Sequence, residues 1–208
     1  DSGGAGLPSQ QYLALGSGFV VKYSVGVGTA GGGTVDGYSD LKARVIVKRG
    51  STVVSEFQDA EFVGVTAGQS YTFDASPYLK DATAYTVQVE AQATYQGGTL
   101  MKTATAKVTM VAMTLETTYS VGNGLADGGY RNDVNIPFTA KGTSGEKNIY
   151  YRVNGGQAFT LGLSAGSGVQ QKNVTIPLTQ MQEGTNVVEA YAQHENSGVV
   201  SQVHYITP

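Results

Sequence analysis

The sequence predicts an all-β chain of two antiparallel sandwich domains in tandem, and three observations carry that prediction. The first is composition. Of 208 residues 29 are Gly, only 14 % are charged, and runs of the helix formers Ala, Leu, Glu and Lys are missing, a balance that suits strands joined by many turns. The second is a period-two alternation of polar and apolar residues, which marks strands with one buried face; no window of comparable length shows a 3.6-residue apolar stripe. The third is an internal repeat: Val89-Glu90-Ala91-Gln92-Ala93 recurs as Val188-Glu189-Ala190-Tyr191-Ala192, 99 residues later. A period of about 100 residues is the size of one immunoglobulin-type domain. The expected fold class is therefore two tandem immunoglobulin-like β-sandwich domains.

Residues 1–7 are small and flexible in composition and form a lead-in. The first domain is assigned to 8–111. Its Gly-rich stretch at 26–33 reads as a long loop, because a phosphate cradle needs a following Lys and Ser/Thr and then a helix. Here Thr34-Val35-Asp36-Gly37 follows instead. Arg49-Gly50 separates two strand-like runs, and Tyr71-Thr72-Phe73-Asp74 is a further strand. A single helical turn is expected near Ser76-Pro77-Tyr78-Leu79. Residues 86–93 and 103–110 alternate over eight positions each, with Gly97-Gly98 as the turn between them.

The second domain is assigned to 112–208. The boundary near Val111-Ala112-Met113 holds no Pro or Gly, so one domain's last strand runs almost directly into the next domain, which predicts a stiff, rod-like pair. Residues 148–153 alternate with Ile149, Tyr151 and Val153 inward, and Asn154-Gly155-Gly156 after them is a strong hairpin signal. Asn154-Gly155 corresponds to Arg49-Gly50, and 173–177 to Tyr71-Thr72-Phe73-Asp74. After the VEAYA strand and the turn Asn196-Ser197-Gly198, the closing strand is read with Val203 and Tyr205 inward and His204 outward.

Charge excludes some functions. Residues 1–111 hold 8 basic against 9 acidic side chains and residues 112–208 hold 5 against 7, for a net charge of −3. Neither half attracts a phosphate backbone, so nucleic acid is not expected as a partner. No stretch approaches the roughly 18 uninterrupted apolar residues of a membrane span, and no membrane insertion is expected. Cys is absent, which removes disulfides and thiolate metal sites and leaves the redox compartment open. The start at Asp1 and the stop at Pro208 straight after the last strand read as a trimmed chain that continues in a larger protein.

No catalytic constellation stands out. There is no G-x-S-x-G elbow, and the 16 acids single out no carboxylate pair for glycoside hydrolysis. His194 and His204 read as solvated surface residues rather than metal ligands. No catalytic residue, metal or cofactor is assigned. Candidate ligand-binding residues are of two kinds. Asp36, Tyr38 and Asp40 in one loop, and Asp127 with Asp133 in another, offer the oxygens calcium takes at sandwich ends, although turn chemistry accounts for such Asp residues too. Tyrosine is the other kind, with 13 copies and no Trp. Alternation points Tyr150 and Tyr191 outward, where a ring can stack on a sugar or anchor a protein contact; β-propensity alone also places tyrosines there.

Several runs carry a family likeness. They are 73–80 (FDASPYLK), 113–119 (MTLETTY), 133–142 (DVNIPFTAKG), 146–155 (EKNIYYRVNG), 176–181 (IPLTQM) and 183–192 (EGTNVVEAYA). Together they resemble the tandem immunoglobulin-like modules of large proteins from gut Bacteroidales and their phages. Many of those are tail-fibre or other virion-associated structural proteins, and some carry a concanavalin-A-like lectin domain downstream. The resemblance spans nearly the whole chain after residue 7, apart from the Gly-rich insertion at 26–37. It implies a non-catalytic structural and interaction module, a semi-rigid arm of a larger phage tail-type or cell-surface protein. The expected location is a virion, a cell surface or the extracellular space. Expected partners are other domains of the same larger protein and protein or glycan surface ligands. The alternative is a glycan-binding or adhesin module acting through exposed tyrosines or the end loops 26–40, 122–133 and 163–168. Sandwich edges also pair with other chains, which makes oligomerisation through edge strands a further expectation.

Overall fold

Period-two alternation in the sequence becomes period-two burial in the fold. Along the strand Ala84–Tyr95, residues Tyr85, Val87, Val89 and Ala93 are buried while Thr86, Gln88, Glu90 and Gln92 stay half-exposed, as opposite-facing neighbours must. The computed structural model describes residues 10–28, 33–119 and 133–208. The lead-in at 1–7, residues 29–32 of the Gly-rich stretch, most of the loop 122–133 and Asp127 lie outside the described residues. The chain divides into two compact units, Asp1–Met110 and Val111–Pro208.

The first unit contains β1 (Gln11–Ala14), β2 (Val20–Ser24), β3 (Ser39–Arg49), β4 (Thr52–Val53), β5 (Val63–Gly64), β6 (Ser70–Asp74), β7 (Ala84–Tyr95) and β8 (Gly98–Val111). One sheet runs β1-β8-β7-β3-β4 with β5 beside β3, and β2 pairs with β6 in the other. Between them lies a core that includes Phe19, Val21, Val47, Val87, Val108 and Met110. The FDASPYLK run is a structural corner. Asp74 Oδ1 accepts hydrogen bonds from the Ser76 amide at 3.0 Å and the Ser76 hydroxyl at 2.6 Å, which seats a 3-10 turn over Ser76–Tyr78. Those bonds hold the Asp74 carboxyl below its ordinary pKa. Tyr78 then packs edge-on against Phe57 at 4.7 Å and stacks on Phe73 at 6.0 Å.

The second unit contains β9 (Met113–Thr117), β10 (Val134–Gly142), β11 (Lys147–Val153), β12 (Ala158–Leu163), β13 (Gly168–Ile176), β14 (Val188–His194) and β15 (His204–Ile206). Its sheets run β13-β10-β9 and β12-β11-β14-β15, the crossed-over order of an immunoglobulin-like sandwich. Ile136, Phe138, Ile149, Ile176 and Val188 fill the space between. The Asn154-Gly155 signal is a β-turn, with one further residue in the loop before the strands pair at Arg152 and Ala158. Both residues have positive φ, 51° and 70°, and the Gly156 amide bonds the Val153 carbonyl at 2.9 Å. That is the primed turn whose twist matches its flanking strands.

The fold is thus all-β and immunoglobulin-like, but the two units place their first strands differently. β9 lies beside β10, whereas β1 lies beside β8, in the other sheet. A second departure concerns β8. Its alternating 103–110 run was expected to bury one face, yet every residue from Gly98 to Thr105 is exposed, and burial is continuous only over Val108–Val111.

Ile149 has no exposed surface and sits amid the second core. Ile149→Ala should cost about 2–5 kcal/mol, measured by urea unfolding followed at a second-unit tyrosine. A loss below about 1 kcal/mol would mean that the inward phase of β11 is misassigned.

Candidate functional site

The open face of the β12-β11-β14-β15 sheet gathers the second unit's outward side chains. Strand register decides which they are. β11 and β14 pair Asn148 with Gln193, Tyr150 with Tyr191 and Arg152 with Glu189, while Ile149, Val153, Ala190 and Ala192 turn into the core. Directly opposed side chains touch in an antiparallel pair, and the rings of Tyr150 and Tyr191 stack with centroids 5.5 Å apart and planes 25° from parallel. The sequence placed both outward, and the structure brings them together.

The stacked pair is held in place. Tyr150 donates its hydroxyl hydrogen to Glu195 Oε1 at 2.8 Å, and Asn148 Nδ2 donates to the same oxygen at 3.0 Å. The bond to Glu195 raises the Tyr150 phenol above its ordinary pKa, with desolvation and the carboxylate's charge adding to it. Next to the pair, Arg152 meets Glu189 Oε2 through Nε at 2.7 Å and a terminal nitrogen at 2.6 Å. The Arg152 side of this ion pair is exposed to solvent, so it orients the two side chains more than it stabilises the fold.

A third tyrosine joins them through a change of register. Near the start of the closing segment Gln193 bridges Val200, and Ser201 and Ala192 are bonded across at 2.8 Å. Further on Ala190 pairs with His204 and Glu189 with Tyr205. The paired numbers sum to 393 in the first stretch and 394 in the second, so Gln202 and Val203 together face Tyr191. Such an extra residue is a β-bulge, and it reverses which side chains point inward. The expected phase, Val203 and Tyr205 inward, is corrected accordingly. Tyr205 is 68 % exposed beside Glu189 on the tyrosine face, and Ile206 is buried. His204 turns inward, and its Nε2 bonds the Leu115 carbonyl on β9.

His194 is also corrected. β14 extends through it in the inward phase, and it is fully buried rather than solvated. Its Nε2 lies 2.9 Å from the Ser144 carbonyl, which can only accept, so Nε2 is the donor; Nδ1 lies 3.0 Å from the Ser197 hydroxyl. Gly145 permits this approach, since a Cβ there would stand 2.5 Å from Nε2. Across the strand pair from His194 is Lys147, 1 % exposed. Its amine donates to the Thr143 and Gly166 carbonyls at 3.0 and 2.5 Å. Neither buried base was legible as such: both continue the inward phase of their strands, but a basic side chain at the end of a strand reads as the start of a solvated turn.

The remaining candidates belong to other segments of the chain. Tyr38 is half-buried and Asp36 exposed in the first unit. Asp133 Oδ1 is committed to the Leu178 amide at 3.0 Å, and Asp127 lies outside the described residues. Among the described residues no group of three or more His, Cys, Asp or Glu could hold a metal ion, and no helix is long and apolar enough to cross a membrane.

No family model and no curated protein matches the sequence. Solved structures do align with it at low similarity. A DUF3823 family protein from Bacteroides ovatus is 11 % identical with a TM-score of 0.31, over 90 % of this chain and 98 % of the other. A DUF4785 family protein from Legionella pneumophila is 10 % identical with a TM-score of 0.32, over 96 % of this chain and 54 % of the other. The FN1–FN3 domains of chicken CNTN1 are 13 % identical with a TM-score of 0.25, over 81 % of this chain and 56 % of the other.

Burial lowers the Lys147 pKa from 10.5. Between that lowered value and 10.5 the unfolded chain holds a proton that the folded chain has lost, so the stability this residue contributes rises with pH through that window. Urea unfolding of the wild type and Lys147→Met at pH 7.5 and pH 10.5 should show the wild type gaining on the variant at the higher pH. Equal shifts in the two proteins would contradict the buried-amine assignment.

Proposed function

We propose that the chain is a non-catalytic interaction module, a semi-rigid two-domain arm of a larger phage tail-type or cell-surface protein. Its contact surface is the tyrosine face of the second unit. One observation carries this reading: Tyr150, Tyr191 and Tyr205 share an open sheet face, two of them stacked and fixed by Glu195 and Asn148. Aromatic side chains fixed in place lose little entropy on binding and are the residue type that dominates contact energies. The buried bases fit a non-catalytic role, because Lys147 and His194 spend their donors on backbone carbonyls.

The composition of the face favours a carbohydrate as its ligand. Flat rings suit the apolar face of a pyranose, and the planar amide, guanidinium and carboxylate groups of Asn148, Gln193, Arg152 and Glu189 around them suit its hydroxyls. A glycan array probed with the full chain should give hits that fall about five- to thirty-fold in affinity with Tyr191→Ala or Tyr205→Ala, the range of one to two kcal/mol per truncated ring. Both rings lie outside the core, so circular dichroism should be unchanged. An array silent for the wild type would remove the carbohydrate reading.

A further inference from the structure

Resting on the carbohydrate reading of the tyrosine face, we infer that this face selects glycans with an unsubstituted amine, taken as an ammonium group by Glu195 and Asn148 beside the Tyr150 ring. Charge is the first observation. The outward positions of β11, β12 and β14, with Glu195 just beyond, carry three charged side chains: Arg152, Glu189 and Glu195. Arg152 is committed to Glu189 through two nitrogens, so Glu195 has no counter-charge on this face among the described residues. Its influence reaches the neighbouring ring. The hydrogen bond to Glu195 first, then desolvation and the carboxylate's charge, hold the Tyr150 phenol above its ordinary pKa.

Hydrogen-bond polarity is the second. A carboxylate oxygen only accepts, so Glu195 Oε1 fixes the Asn148 amide with its nitrogen toward Glu195, at 3.0 Å. Asn148 Oδ1 is thereby turned to the other side, where β12 presents Gly162, the residue paired with Asn148. A Cβ on Gly162 would stand 3.8 Å from that oxygen. Tyr150 has already spent its hydroxyl hydrogen on Glu195 Oε1. Glu195 Oε2 and Asn148 Oδ1 take no hydrogen bond among the described residues. Around the Tyr150 ring, the groups still open to a ligand are therefore acceptors, and the ligand must bring the donors.

Room is the third. Tyr191 stacks on Tyr150 from β14, while β12 sets only Ala158, Thr160 and Gly162 beside Arg152, Tyr150 and Asn148. These three are small and exposed, so the β12 side of the ring is a low shelf on which a pyranose can lie. An ammonium group supplies three donors and a positive charge, and the π face of a tyrosine attracts cations. Acetylation of the amine removes the charge and leaves a single N–H. A carboxylate or sulfate would set acceptor against acceptor and like charge against like charge.

Calorimetric titration of the full chain with three tetrasaccharides tests this: β-1,4-linked glucosamine, its fully N-acetylated counterpart, and galacturonate. At mildly acidic pH and low salt, the amine form should bind about tenfold or more tighter than the N-acetylated form, and galacturonate should not bind. Added salt should narrow the difference. Glu195→Gln keeps an acceptor for Tyr150 and Asn148 but loses the charge, and should bring the amine and N-acetylated forms to within about twofold of each other. Glu116→Gln, exposed on β9 in the other sheet, removes the same charge elsewhere and should leave the preference intact. Equal affinity for the amine and N-acetylated tetramers overturns the inference and leaves the carbohydrate reading standing. Equal loss of preference in both variants also overturns it, since general attraction of a polycation would then explain the binding. Silence for all three tetramers overturns it as well, and the wider glycan array then decides the carbohydrate reading separately.

Discussion

Strand register between β11 and β14 is the constraint on which the second unit's surface and core both rest. Side chains alternate with a period of two, so a slip by one residue exchanges the faces completely. A slip of β11 would turn Tyr150 into the core and Ile149 into water, and a slip of β14 would do the same to Tyr191 and to Ala190 and Ala192. The structure pins this pairing at both ends with polar side chains. At one end Asn154 accepts from the Val187 amide and donates to Asn186, each at 2.8 Å. At the other, Lys147 and His194 reach carbonyls of adjoining loops, and the Glu195 amide bonds the Glu146 carbonyl at 2.9 Å. The buried ones among them, Asn186, Lys147 and His194, cost desolvation, and what they all secure is a single alignment. The tyrosine face is a product of that alignment.

The two units turn the same architecture to different surfaces. In the second unit the opening strand completes the smaller sheet, and the outer surface of the larger sheet carries the aromatic side chains. In the first, the opening strand lies in the larger sheet, and Gly98–Thr105 of β8 are exposed.

Much of the fold was legible because strands with one buried face write their period directly into the sequence. The 86–93 and 148–153 runs are strands with the inward residues expected of them, Arg49-Gly50 and Asn154-Gly155 are turns, and Ser76-Pro77-Tyr78 is a single helical turn. Period, however, is not phase. In the closing segment the bulge opposite Tyr191 shifts the phase between Ser201 and His204, so Tyr205 goes out and His204 in. No composition signal marks that extra residue. Nor does alternation reveal what covers a strand. β8 keeps the period through residues that stay exposed. The site was half legible for the same reason: Tyr150 and Tyr191 lie in long regular runs, whereas Tyr205 depends on an irregularity.

The Asn154-Gly155 turn has a chemical side beyond its geometry. In an unfolded chain Asn followed by Gly is prone to deamidation, because the unhindered glycine amide can attack the side-chain carbonyl and close a succinimide. Here the Asn154 side chain is engaged at both its oxygen and its nitrogen, and the backbone on either side is held in the left-handed region. Ageing of this bond is therefore coupled to opening of the hairpin. Isoaspartate accumulating at position 154 would record the time this corner of the molecule has spent unfolded.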